Sequence, residues 1–296
     1  MEKIVLVSSM EKCNKVEEDI WLKEKLISLG YNATIEAWDD ESVQWDKFSI
    51  IVIKSTWKYE KKIEKYRRWL DSIKNLRVVN NLDLIYTNIL KDKQIEMFKK
   101  NKIPHINTDI CKTFLIAMIK IIIYKIMYKD IVIKPSISAG GNNTYIYTSN
   151  DSFNQNSIKT INKVKEVVKG ILKEAGQKIL IQPYINEIVN GEISLVYIDS
   201  EFQYALERHP KIFHERIPTK CKKNISEQLI EFGKIVLNKM NYSNNLFTRV
   251  DLVIVNNKPK IMEVEVIEPY LYIKKLEKNK QEKVLDTLAR QIIRRI

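Results

Sequence analysis

The sequence predicts an α/β fold with a parallel sheet in its N-terminal third, on three observations. Short apolar runs alternate with helical spacings as far as residue 80. The middle of the chain opens into a loop of small residues in a protein that has only seven glycines. The last hundred residues return to strands in which acidic and apolar residues alternate.

Residues 4–7 (Ile-Val-Leu-Val) have the unbroken apolar run of a strand buried on both faces. From Asp19 to Leu29 the apolar positions Ile20, Leu22, Leu26 and Leu29 follow a helical spacing, and Gly30 supplies the stop. Residues 33–38 and 50–53 read as the second and third strands, the latter followed by a polar turn at Lys54-Ser55-Thr56. Helical spacing returns over 63–73, and Val78-Val79-Asn80 closes the unit. An open parallel sheet binds ligands beyond the C-terminal ends of its strands. Lys54, Ser55 and Thr56 are therefore candidate substrate-binding residues: a cation beside two hydroxyls suits a carboxylate, with Trp57 and Tyr59 as walls. The alternative is a solvated Lys54 with the two aromatics packed at a domain interface.

The middle changes character. An apolar helix over 114–128 leads into a strand at 131–134, a Gly/Ser/Asn loop, a strand at 144–148 and a helix over 158–175. The 114–128 stretch is shorter than the roughly 20 residues of a membrane span and is interrupted by Lys120 and Lys125, so a buried helix is expected. The remainder carries strands at 193–199 and 250–255, a helix over 225–240 and a charged amphipathic helix over 274–296.

Composition narrows the function classes. At 296 residues with 45% hydrophobic residues the chain is a globular protein with room for two or three subdomains. The net charge of +13 points to polyanionic ligands, yet Lys, Asn and Ile are abundant throughout and no compact basic run is interleaved with aromatics. Neither nucleic acid nor membrane is expected as a partner. Cys13, Cys111 and Cys221 lack metal or disulfide spacing, and residues 1–7 do not resemble a secretion signal, so a cytoplasmic location is expected. His105, His209 and His214 show no ligand spacing. The oligomeric state is left open, and a homodimer is compatible with these features.

Two clusters carry chemistry. In the first, a buried strand ends at Lys134 and runs through Pro135-Ser136-Ile137-Ser138-Ala139-Gly140-Gly141-Asn142-Asn143. Small residues let backbone N–H groups approach phosphate oxygens, and the lysine adds a point charge. The glycines follow the lysine, so this is not a Walker loop; an ordinary hairpin turn is the alternative. In the second, Asn256-Asn257-Lys258-Pro259 joins two apolar strands as a hairpin. Period-2 alternation puts Glu263 and Glu265 on one face, with Asp251 across from them and Arg249 on the same side. Oxygen-only ligands of this kind suit Mg²⁺. Three such carboxylates repel one another, so neutralising one is expected to raise stability when no metal is bound. The alternative is a solvated polar face with Arg249 as counter-ion. Glu207-Arg208-His209-Pro210 and Arg216 place two further arginines on a loop.

In this order the clusters resemble the ATP-grasp ligases related to glutathione synthetase, and most closely the cycloserine-forming O-ureidoserine cyclo-ligases. The resemblance extends to Ala37-Trp38-Asp39-Asp40, Val43-Gln44-Trp45, Lys54-Ser55-Thr56-Trp57-Lys58-Tyr59, Trp69-Leu70 and Asp92-Lys93. It implies an N-terminal α/β domain over residues 1–107, a central α+β lid over 108–181 and a C-terminal metal-bearing subdomain over 182–296. Lys93 and Lys134 match lysines that contact the nucleotide phosphates, and Ser138, Gly140 and Gly141 belong to the loop that covers them. Gln182, Tyr184 and Ile185 match the strand that reads adenine, and Glu192 the acidic residue near the ribose. Arg208 and Arg216 match arginines that approach the transferred phosphoryl group, and Arg249 joins them as a candidate catalytic residue that would stabilise developing charge. Asp251, Glu263 and Glu265 are the implied ligands of Mg²⁺, two ions in number, with Mn²⁺ as a substitute. The family has Asn in glutathione synthetase where Glu265 stands, and Arg and Asp in the cycloserine group where Lys54 and Lys58 stand.

The implied activity is ATP- and Mg²⁺-dependent ligation of a carboxylate, activated as an acyl phosphate, to a nitrogen nucleophile. The substrates would be small molecules, a carboxylate and an amine derived from amino acids. Two other readings compete. A phosphotransferase acting on a hydroxyl would give a phosphorylated product. A non-catalytic basic binding protein would bind nucleic acid with a steep salt dependence and turn over no ATP.

Overall fold

The computed structural model describes residues 2–149, 157–174, 176–209 and 217–296. Three sheets form in succession along the chain. The first contains β1 (Lys3–Ser8), β2 (Asn32–Ala37), β3 (Ile50–Ser55) and β4 (Val78–Val79) in the order β2-β1-β3-β4. All its strand pairings are parallel. Helices α1 (Glu17–Ser28) and α2 (Ile63–Ile73) make the crossovers, as the strand–helix alternation predicts. β3 extends beyond the apolar run: Lys54 and Ser55 continue the strand rather than forming the expected turn.

Helices α3 (Leu82–Ile89) and α4 (Lys91–Lys100), for which the sequence reading had no assignment, lead to the second sheet. It holds β5 (Asp109–Cys111), β6 (Ile131–Pro135), β7 (Tyr145–Tyr147), β8 (Ser157–Ile158) and β9 (Ile179–Pro183), ordered β5-β9-β6-β7-β8. Helices α5 (Phe114–Met127) and α6 (Ile161–Lys173) cover it. Thr113 and Thr160 cap the two helices by accepting from the N–H groups of Ile116 and Lys163. Contrary to expectation, α5 is buried on one face only, by Ala117, Met118, Ile121 and Tyr124.

The third sheet is antiparallel. It holds β10 (Glu192–Ile198), β11 (Glu201–Arg208), β12 (Lys220–Lys222), β13 (Phe247–Val255) and β14 (Lys258–Glu265), in the order β12-β11-β10-β13-β14. Helices α7 (Glu227–Lys239) and α8 (Lys278–Ile293) follow β12 and β14. The β13–β14 hairpin turns at Asn256 and Asn257, both with positive φ (50° and 60°), the geometry that Asn tolerates in a two-residue hairpin loop. No helix among the described residues is long and apolar enough to cross a membrane.

Side chains from α3 and α4 cover the outer edge of β14. Asn88 donates to the Val264 carbonyl at 2.6 Å, while Gln94 donates to that carbonyl at 2.8 Å and accepts from the Val264 N–H at 2.9 Å. Asn80 holds the neighbouring backbone, donating to the carbonyls of Val266 and Phe247 and accepting from the Leu246 N–H. An open sheet edge is thereby satisfied, and the start of α4 is fixed beside β14.

Candidate nucleotide and metal site

One face of the third sheet gathers the charged side chains, and strand register is the reason. Asp251 on β13 lies opposite Glu263 on β14, and Arg249 opposite Glu265. On the other side Asp251 lies opposite Ser194 of β10, and Glu192 of β10 opposite Arg208 of β11. Arg208 therefore stands on a strand and not on the loop that its sequence neighbours suggest.

Asp251 is the centre of this network. Arg249 donates to it from Nε (2.8 Å to Oδ1) and from a terminal nitrogen (2.9 Å to Oδ2). Arg208 donates at 3.2 Å and the Ser194 hydroxyl at 2.6 Å. Burial opposes ionisation of Asp251, but the two guanidiniums outweigh it and hold the carboxyl well below the usual range. Arg208 also pairs with Glu192 at 2.5 Å. Burial pushes the Glu192 carboxyl up, against the pull of Arg208.

Glu263 accepts from Lys91, at the first position of α4. Lys93, which the resemblance assigns to the nucleotide, turns to Glu96 at 2.9 Å and is half exposed. Positions 91 and 93 point about 200° apart on an α-helix, so only one of them can face β14. Gln94, one turn beyond Lys91, holds Val264 and so fixes which one does. Lys91 is thus the lysine of α4 that faces β14, a position the sequence reading did not single out because α4 and its orientation were not assigned. Burial lowers the Lys134 ammonium to about 8, with Lys91 adding repulsion that Glu263 and Glu192 partly offset. Two lysines from different elements thereby approach the carboxylate face.

Glu265 accepts the backbone N–H of Ile267 at 2.8 Å and that of Glu268 at 3.4 Å. Its carboxyl is raised by burial and by Glu263. Glu268, also unassigned from sequence, is 8% exposed and accepts from Thr56 at 3.3 Å. Burial, then Glu265 and Glu60, hold its carboxyl well above the usual range.

The carboxylates share a face without converging on one point. Among the described residues no group of three His, Cys, Asp or Glu is spaced to hold a metal ion. The donor chemistry still fits a hard divalent cation, since all three are carboxylates. Their charge is met by the cations Lys91, Arg249 and Arg208, each within hydrogen-bond reach of one of them or of its neighbour.

The glycine loop follows β6. Gln177 braces its start, accepting from the Ile137 N–H and donating to the Ile137 carbonyl, both at 3.0 Å. Ser138 is 6% exposed. Gly140 (φ +60°) and Gly141 (φ +75°) take up a backbone conformation that side chains disfavour, with open space where a Cβ would project. At the loop tip Asn142 donates to Glu60 at 3.3 Å, bridging to the first sheet's unit. On β9 Gln182 donates to the Thr108 hydroxyl at 2.7 Å, and just beyond it the Tyr184 N–H donates to the Asp130 carbonyl at 2.9 Å. Ile185 follows in extended backbone. Arg216 lies outside the described residues.

The expected carboxylate crevice at Lys54, Ser55 and Thr56 is not open. All three are at most 1% exposed. Lys54 pairs with Glu18 at 2.8 Å and Asp19 at 3.4 Å. Ser55 bonds Asp19 and Ser8, and Thr56 lies 3.1 Å from the Tyr66 hydroxyl. Burial disfavours the Lys54 charge, yet the two acids outweigh it and raise the ammonium above its ordinary value. Because β3 runs on through Ser55, Lys54 and Ser55 face the acidic start of α1, while Thr56 lies against Tyr66 and Glu268, and none of the three faces solvent.

Two family models match separate parts of the chain. A family model described as the N-terminal domain of D-cycloserine synthetase matches residues 4–80. A second, described as the ATP-grasp domain of prokaryotic glutathione synthetase, matches residues 103–281. A solved structure of D-cycloserine synthetase superposes with a TM-score of 0.82 at 18% identity, covering 98% of this chain and 99% of that one. D-alanine–D-alanine ligase from Bacillus anthracis, complexed with ATP, gives 0.66 at 14% identity, covering 99% and 96%. A RimK-domain ATP-grasp protein from Sphaerobacter thermophilus gives 0.65 at 12%, covering 98% of each chain. At these identities the likeness to solved structures is one of fold. No match was found among curated proteins.

Proposed function

Because this chain belongs to the ATP-grasp family, whose general activity is ATP-dependent ligation, we propose that it joins a small carboxylate to a nitrogen nucleophile through an acyl phosphate. One observation carries the reading: the carboxylate face of Asp251, Glu263 and Glu265 is met by Lys91 and approached by Lys134 at the base of the glycine loop. Anionic donors for a metal and cations for phosphates are thus brought together across a sheet and its neighbouring units.

In this reading Asp251, Glu263 and Glu265 hold Mg²⁺, which when bound would neutralise phosphate charge. Lys91 and Lys134 bind phosphate oxygens, under the loop that includes Ser138, Gly140 and Gly141. Gln182, Tyr184 and Ile185 border the base, and Glu192 stands toward the sugar. The substrate carboxylate takes the γ-phosphoryl group, ADP departs, and the amine attacks the acyl carbon to release phosphate. Arg249 and Arg208 are positioned by Asp251 to stabilise the developing charge, and catalysis is positioning plus electrostatics.

The test is a screen of amino-acid and dipeptide mixtures for ADP release, with mass spectrometry of the products. Stoichiometric ADP, free phosphate and a product lighter than its substrates by one water support ligation. A stable phosphorylated product would instead identify a phosphotransferase, and Mg²⁺-independent nucleotide binding would remove the metal assignment.

A further inference from the structure

The outer face of α5 is apolar and uncovered. Leu115, Ile116, Ile119, Ile122, Ile123, Ile126 and Met127 are 41–81% exposed, while the opposite face packs on the second sheet. Ile116, Ile119, Ile123 and Ile126 recur at spacings of three, four and three, the stripe that two helices use to pack along one another. We infer that this face is a self-association surface, on which α5 of a second copy of this chain packs across a two-fold axis.

The charges carried by α5 itself favour a second copy over other occupants. α5 contains no acidic residue, and its two lysines are tied down at the flanks. Lys120 pairs with Asp109 at 2.9 Å. Lys125 donates to the Lys129 carbonyl and lies 4.6 Å from the Tyr147 ring centroid. An anionic membrane or an acidic partner would be recognised by lysines free to reach it, whereas a neutral apolar stripe is complementary to itself. Size agrees as well. The seven side chains expose on the order of 700 Å², close to the ~800 Å² that each partner contributes to a stable interface. A patch this large is also above what a monomer ordinarily leaves in water. The sequence predicts a buried helix, and one chain leaves this face of it uncovered.

The test is sedimentation equilibrium of the full chain between about 1 and 100 µM, on the wild type and on I119E/I123E. The wild type is expected to be a dimer and the double variant a monomer with an unchanged circular dichroism spectrum. I126K alters the most exposed position of the stripe (81%), where the fold of one chain has least at stake, and is expected to weaken the dimer at least about tenfold. A wild type that stays monomeric at 100 µM would overturn the inference. So would a dimer that I126K leaves unchanged, or capture of the protein by phosphatidylglycerol vesicles in place of self-association.

Discussion

Glu263 and Asp251 face each other across the β13–β14 ladder, yet each is held by a different cation: Lys91 binds Glu263, and Arg249 binds Asp251. Like charges are brought opposite one another by register and kept there by counter-charges from outside the pair. The site is therefore a balanced ionic network before any ligand enters, and single substitutions in it have unequal consequences.

Lys91 and Lys93 should differ in their effect on turnover. Lys91→Met should lower ATP turnover by roughly 10²–10³, the effect of removing a positioned charge from a phosphate site. Lys93→Met, at a half-exposed pair with Glu96, should change it by less than about threefold, since exposed pairs contribute about 0–1 kcal/mol. Steady-state ADP release on both variants checks this. The reverse ranking would return the phosphate contact to Lys93.

Asp251→Asn should destabilise the metal-free protein. The sequence alone suggested the opposite, through relief of repulsion between carboxylates. Asp251 instead lies between the Arg249 and Arg208 guanidiniums, and neutralising it deprives buried Arg249 of its paired carboxylate while Arg208 keeps Glu192. Breaking a buried pair in this way costs about 3–5 kcal/mol. Urea denaturation without metal measures it, and a rise in stability would contradict this ionic network.

Lys54→Met should likewise cost about 3–5 kcal/mol in folding, because Glu18 and Asp19 would lose their buried counter-ion. Its effect on KM for a carboxylate substrate should be small compared with its effect on Tm. A variant with normal Tm and a raised KM would put Lys54 back in the binding site.

Stability should also depend on pH through Glu268. Its carboxyl is held well above the usual range, so the folded state keeps a proton that the unfolded chain releases near pH 4.3. That contribution is full below the unfolded pKa and declines as pH rises toward the folded one. Between pH 5 and 7 the wild type should therefore lose stability relative to Glu268→Gln. Denaturation of both proteins at several pH values tests the sign, and parallel curves would show that Glu268 is ionised in the fold.

The sequence by itself determined the local elements and the shared face of the hairpin. Residues 4–7, 50–53 and 63–73 lie within the strands and helix that their spacing implies, and Arg249, Asp251, Glu263 and Glu265 face one side because strand alternation has a period of two. Only the tertiary structure decided which charges meet. Lys54 finds Glu18 across 36 residues and Lys91 finds Glu263 across 172, and no periodicity reports such distances. The same holds for Arg208, which its neighbours place on a loop and which pairing with β10 places on a strand. Spacing along a chain fixes which side chains share a face; the packing of one element on another fixes what that face meets. The outer stripe of α5 shows the difference: its apolar residues are plain in the sequence, but that one chain leaves them uncovered is visible only once the second sheet has taken the other face.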